Sequence, residues 1–269
     1  MLVSHSELVR TMQEGIRMLG FSYSQADDSA ESVIWTECVF GQGYELLRDA
    51  GQDTMKPVGP VACQRDDKFT TVTLGSRPAF AFAARIADLA IAGAATDGSV
   101  VVKVSGGRGQ PALPYIAARI ARAGYHAVAV WHSGSDDDAP SPVVAVAPAN
   151  AKVLGLSSDK AALAGLTSRE LSLGTDPTVS SNWQQALQEL TPDISEVVVL
   201  AVKADAKSVK VKLDEAAPGF ITKVVEPDAL IDKAIRDGLE VDVTRHRILT
   251  GLTGKIRLPS SERSRAQAG

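Results

Sequence analysis

Tyr44 and Arg48 stand four residues apart in the segment Gly41-Gln42-Gly43-Tyr44-Glu45-Leu46-Leu47-Arg48. On a helix that spacing puts both side chains on one face. A phenol beside a guanidinium has its phenolate favoured and can serve as an acid or base. The plainer alternative is a surface tyrosine covering an apolar seam beside a solvated arginine. A second candidate is Ser105-Gly106-Gly107-Arg108-Gly109, which follows an apolar run and precedes a helical pattern. Read as a strand-to-helix turn, it offers backbone N–H groups and a helix N-terminus to an anion, with Arg108 adding a forked cation. The plainer alternative is a tight turn with a solvent-facing Arg108. It is neither a G-x-G-x-x-G fingerprint nor a P-loop, because no Lys-Ser/Thr follows.

Other chemistry-bearing residues are sparse. The four histidines are His5, His126, His132 and His246, and no two have helical ligand spacing. His126 and His132 flank an apolar run six apart, which points both to one side of an unbroken strand. Asp136, Asp137 and Asp138 follow, but a solvated acidic loop is the better reading than a metal site, and no metal is expected. Cys38 reads as a small hydrophobe in a helix, and Cys63 has no histidine partner, so thiol catalysis is not expected. No nucleophile elbow is present.

The 269 residues carry 28 Lys+Arg against 32 Asp+Glu, a net charge of −4, with 45% hydrophobic residues. That length buries a real core, and slight acidity without basic blocks argues against gripping nucleic acid. No stretch approaches the roughly 20 apolar residues of a membrane span, and no signal-peptide core opens the chain. A soluble cytoplasmic protein is the expectation.

The elements that must position these residues fall into three parts. A helical head spans 1–55. Ser4 with Glu7 has capping-box spacing before Leu8, Met12, Ile16 and Leu19, and Gly20 ends the run. Ser24 with Asp27 repeats the signal for a second helix to about Phe40, and a short helix covers Tyr44–Ala50. Such short helices must bury their stripes on the larger domain or on a partner subunit. The α/β main domain is 56–258. It alternates strands at Thr70–Leu74, Val100–Val104, Ala127–Trp131, Val143–Ala147 and Glu196–Val202 with helices at Ala79–Ala95, Ala112–Ala123, Trp183–Leu190, Pro227–Asp237 and Thr244–Leu252. A small, polar tail, 259–269, completes the chain.

Val3-Ser4-His5-Ser6-Glu7-Leu8, Gly20-Phe21-Ser22-Tyr23-Ser24-Gln25-Ala26-Asp27-Asp28 and Trp35 resemble a bacterial family of uncharacterised proteins with a Gly-aromatic-Ser-aromatic turn. The tail Pro259–Arg265 is similar to that family's Ser-Arg ending. More distantly, the layout looks like the malate/L-lactate dehydrogenase family of the non-Rossmann type. The helical head, Val100–Ala123, and Val143–Gly155 with Pro148 and Leu154-Gly155 carry this second resemblance.

It implies an α/β fold in which a helical N-terminal head packs on a mixed sheet, normally as a homodimer, reducing 2-oxo or cyclic imino carboxylates with NAD(P)H. It further implies a Ser-His-Gly-x-x-Arg motif after the second helix, whose histidine donates a proton and whose arginine holds the substrate carboxylate. Aligning Arg48 with the motif arginine puts Tyr44 at the histidine. Aligning Gly43 with the motif glycine puts Gln42 there and Leu46 at the arginine. Ser105, Gly106, Gly107 and Arg108 take the place of the family's Ser-x-His turn on the cofactor side, and a family stretch after Leu154-Gly155 looks shortened. The expectation is a diverged oxidoreductase-like protein with Tyr44 and Arg48 as catalytic residues and Ser105–Arg108 as substrate or cofactor contacts. The alternatives are a non-redox lyase, hydratase or isomerase on the same scaffold, and a non-catalytic binding or subunit protein.

Overall fold

A computed structural model describes residues 1–51, 61–133, 141–150, 152–157, 177–190, 195–204 and 223–256. The acidic run Asp136–Asp138 and the tail 259–269 lie outside them.

The chain opens with a short strand, β1 (Leu2–Val3), and three helices, α1 (His5–Met18), α2 (Tyr23–Phe40) and α3 (Gly43–Ala50). Ser4 caps α1, its Oγ accepting from the Glu7 amide at 3.2 Å. The start of α2 lies at Ser22 with Gln25, not at Ser24 with Asp27. The Ser22 Oγ accepts from the Gln25 amide, and the Gln25 side chain accepts from the Ser22 amide, a full capping box. Ser24 is thereby already inside the first turn. Gly41 ends α2 in the left-handed conformation, φ 69°.

The main body follows as β2 (Ala62–Arg65), β3 (Thr70–Pro78), α4 (Phe80–Asp97), β4 (Ser99–Arg108), α5 (Leu113–Arg122), β5 (Tyr125–Ser133), β6 (Ser141–Ala147), β7 (Leu154–Ser157), α6 (Pro177–Glu189), β8 (Val197–Lys203), β9 (Lys223–Val225), α7 (Pro227–Asp237), β10 (Leu239–Glu240) and α8 (Val243–Ile256). Eight strands form one mixed sheet in the order β2-β3-β4-β8-β5-β6-β7-β9. Among the described residues only β3 and β4 pair in parallel, joined by α4 as crossover; the other pairs are antiparallel.

The central strands are apolar on both faces because both faces are covered. Val102, Val199 and Ala129 face α4 and α5, while Val101, Val198 and Val128, one residue out of phase, face Trp183, Ala186 and Leu187 of α6. Alanines along α4 bring it close to the sheet. A Cβ on Gly93 would lie 2.9 Å from Val100 Cγ2.

The helical head is not self-sufficient. Leu8, Met12 and Ile16 are fully buried, and their cluster includes Phe80, Ala112, Ala234, Val241 and Leu249 from later in the chain. Each such side chain contributes about 1.5–3 kcal/mol over exposure. The head therefore buries its stripes on the same chain. A two-stranded pair of β1 and β10 ties its start to residues 239–240. Among the described residues, no helix is long and apolar enough to cross a membrane.

Candidate functional site

Gly43 decides where α3 sits. A Cβ there would lie 2.5 Å from the Val33 carbonyl oxygen and 2.8 Å from Glu37 Cβ, so only glycine lets α3 press onto α2. Gln42, at the helix start, makes no side-chain cap bond. Glu37 supplies one from α2, its Oε2 accepting from the Tyr44 amide at 3.1 Å. Glu37 is buried, and burial pushes its carboxyl above the ordinary range; the amides of Tyr44 and Gly43 and the charge of Arg245 oppose that push.

Held this way, Tyr44 points into the seam with α8. Its Oη lies 2.8 Å from His246 Nδ1, both residues are buried, and the rings meet edge to face at 5.9 Å. His246 Nε2 lies 3.8 Å from Glu7 Oε1 of α1. Burial, then the charges of Glu37 and Glu7, push the Tyr44 hydroxyl well above its usual value. A phenol that keeps its proton donates it to Nδ1. That assigns the imidazole proton to Nε2, facing Glu7.

The expected influence of Arg48 on Tyr44 is therefore not what sets the phenol. Arg48 is half exposed and turns to its neighbour Asp49, its Nε 2.9 Å from Oδ1, so it does not offset the burial of the phenol. Tyr44 is a held proton, not a ready phenolate. Both residues nonetheless border one cleft between α1, α3 and α8, with Met18, Leu19, Leu47 and Leu249 as its apolar wall. The cleft encloses about 770 Å³, counting its open mouth. Arg245 lies at its edge in a 2.7 Å ion pair with Glu45.

The second candidate segment is placed differently. Ser105, Gly106, Gly107 and Arg108 are not a turn at a helix N-terminus; they are the last four residues of β4. The strand continues because β3 bulges beside it, with Gly75 and Ser76 at positive φ and Arg77 and Pro78 pairing again with Gly107 and Arg108. The Gly107 amide donates to the Ser195 carbonyl at 3.1 Å, and the Arg108 carbonyl accepts from the Ala79 amide. The chain leaves the sheet only at Gly109, φ 89°, and a 3₁₀ turn, Gln110–Ala112, separates it from α5.

Arg108 lines a shallow surface hollow with Leu74, Gln110 and Glu196, separate from the Tyr44 cleft. The two regions meet at Leu46: a Cβ on Gly109 would lie 3.0 Å from its Cδ2, and Ala112 shares its buried cluster. Leu46 itself is buried.

His126 and His132 are both buried on β5. His126 Nδ1 accepts from the Ala149 amide at 3.2 Å, and burial lowers its proton affinity. Cys38 lies buried in α2, its thiol pushed up to about 11 by burial, which makes it inert; Cys63 is exposed.

Sequence reasoning missed three members of the Tyr44 cluster. Glu7 was read only as part of a cap, Glu37 not at all, and His246 only as one of four scattered histidines. The one usable signal was helical: His246 and Leu249 are three apart in a predicted helix and so share its inward stripe.

No family model matches the chain, and no curated protein matches it. Solved structures do. Malate dehydrogenase from Entamoeba histolytica superposes with a TM-score of 0.64 at 10% identity, covering 96% of this chain and 99% of that one. Malate dehydrogenase from Pyrococcus horikoshii OT3 gives 0.65 at 11%, covering 96% of each chain. The delta1-piperideine-2-carboxylate reductase from Pseudomonas syringae pvar. tomato gives 0.63 at 12%, covering 94% and 99%. At such identities the likeness is one of architecture: the chain has the malate/L-lactate dehydrogenase-like α/β fold.

Proposed function

We propose that this protein is a diverged oxidoreductase that reduces a small 2-oxo or cyclic imino carboxylate with NAD(P)H. Tyr44 is its proton donor, and Arg48 is its carboxylate contact. The observation that carries this reading is the buried 2.8 Å hydrogen bond between Tyr44 and His246 at the wall of an open cleft that also presents Arg48. Hydride addition to a carbonyl leaves an oxyanion that must be protonated, and a phenol held protonated beside a histidine can deliver that proton. The phenolate left on Tyr44 takes up a proton from water entering the open cleft, and the restored phenol donates again to His246 Nδ1. Arg48 exchanges its exposed contact with Asp49 for the substrate carboxylate, which fixes the reacting carbon near Tyr44.

A nicotinamide would supply the hydride. Ser105–Gly107 does not fit its pyrophosphate as a backbone cradle, since these residues are zipped into the sheet and the Gly107 amide is taken by Ser195. Arg108 is retained in this reading as a side-chain anion contact alone. The same reading has the protein working in the cytoplasm as a homodimer, and native mass spectrometry gives the subunit count.

The test is to follow consumption of reduced nicotinamide with a panel of 2-oxo and cyclic imino acids. Turnover with at least one of them is expected, falling by about 10²–10⁴-fold in Tyr44→Phe. Failure to bind either reduced nicotinamide at millimolar concentration sinks the reading. The engaged Gly107 amide favours one alternative, a lyase, hydratase or isomerase on the same cleft. Carboxylate turnover that persists after exhaustive removal of nicotinamides would establish it.

A further inference from the structure

The cleft that holds Tyr44 and Arg48 has a one-sided chemistry. Its cations are Arg48 and Arg245, and its acid is Glu45. Arg245 is committed to Glu45 at 2.7 Å, whereas Arg48 is engaged by the adjacent Asp49, a surface contact that a ligand carboxylate can replace at little cost. One exchangeable guanidinium is thus available. Beyond it the wall is Met18, Leu19, Leu47 and Leu249, side chains without hydrogen-bonding groups. Met18 and Leu19 are only half-buried, leaving apolar surface for a ligand to cover. Gly15 completes the floor: a Cβ there would lie 2.8 Å from Leu249 Cδ1, so its absence is what lets α8 close the cleft from below.

We infer that this cleft selects a monocarboxylate bearing an apolar, branched or extended chain, and rejects dicarboxylates and sulfonated acids. The carboxylate pairs with Arg48, and the hydrocarbon lies along Met18, Leu19, Leu47 and Leu249. A second anionic group would lie against those side chains, and the other cation of the cleft, Arg245, is already paired with Glu45. The inference names the substrate class of the proposed reductase site and rests on that reading for the reaction, while the binding preference stands on the cleft alone.

The test is calorimetric titration of the full chain with 4-methylpentanoate, which has no oxo group to reduce, against acetate and succinate at matched ionic strength. 4-Methylpentanoate is expected to bind at least about tenfold more tightly than either, since each methylene in an apolar pocket is worth about tenfold or more. Arg48→Met should weaken all carboxylates. Met18→Ser, at a half-buried position that does not threaten folding, should narrow the gap between 4-methylpentanoate and acetate. Equal or tighter succinate binding, no binding by any acid, or unchanged affinity in Arg48→Met each overturn the inference. If 4-methylpentanoate binds but 4-methyl-2-oxopentanoate is not reduced, the reductase reading falls and the cleft assignment stands. If oxaloacetate is reduced while 4-methylpentanoate does not bind, the reverse holds.

Discussion

Tyr44 Oη and His246 Nδ1 lie 2.8 Å apart although 202 residues separate them in sequence. The bond closes the seam between α3 and α8, and the Tyr44 amide adds a second buried bond, to Glu37 of α2. The Tyr44–His246 bond is therefore a structural tie, and in the proposed reaction it holds the proton that Tyr44 delivers.

A double-mutant cycle separates those roles. Tyr44→Phe leaves the His246 ring nitrogen without its donor, and His246→Leu leaves the phenol without its acceptor. Each should cost about 1–3 kcal/mol of stability by urea unfolding. The pair should cost less than the sum, with a coupling of about 0.5–3 kcal/mol. Strict additivity would show that the two groups do not interact in solution.

Gly43→Ala should destabilise by about 1–3 kcal/mol, because the new methyl meets the Val33 carbonyl, which is helix backbone and cannot give way. Gly98→Ala tests a different cost, since that glycine has open space around its Cβ and a φ of 81°. Its loss should come from backbone strain alone, about 1 kcal/mol, and should leave carboxylate binding untouched. An equal loss of carboxylate binding in both variants would contradict the role given to Gly43.

Glu37 makes stability fall with rising pH. Its folded carboxyl holds a proton above the ordinary 4.5, so the folded state binds protons that the unfolded chain has released. The contribution is complete below 4.5 and is lost as pH rises through the raised folded value. Glu37→Gln should flatten the slope of unfolding midpoint against pH in that window. An unchanged slope would place the origin elsewhere.

His126 acts in the opposite sense. Burial lowers its folded proton affinity below the ordinary 6.5, so its contribution is present above 6.5 and lost as pH falls through the lowered value. His126→Gln, whose side-chain oxygen can still accept from the Ala149 amide, should lose less stability on acidification than the parent. Parallel acid limbs in the two proteins would refute the assignment.

Local signals made most elements legible. The stripe Leu8-Met12-Ile16 gave α1 its buried face, and Pro227 with Gly238 bracketed α7. The start of α2 was misplaced by two residues because Ser24-Asp27 and Ser22-Gln25 both fit a cap, and only the reciprocal bond from Gln25 separates them. Gly106 and Gly107 looked like a turn because glycine is permissive. They are strand because β3 and Ser195 supply partners that no local window contains. Tyr44 and Arg48 were found from helical spacing, but spacing could not show that Arg48 would prefer Asp49. His246 was out of reach for the same reason as Ser195, since a contact across two hundred residues leaves no periodic trace.

The pairing of Val3 with Leu239 sets a timetable for biosynthesis. A chain emerging from the ribosome completes α1, α2 and α3 early, yet their seam stays open until α7, β10 and α8 have been made. Through that interval the apolar stripe of α1 has no cover from Val241 or Leu249. Nascent chains halted before residue 239 should be bound by chaperones and exposed to proteases, and full-length chains should not.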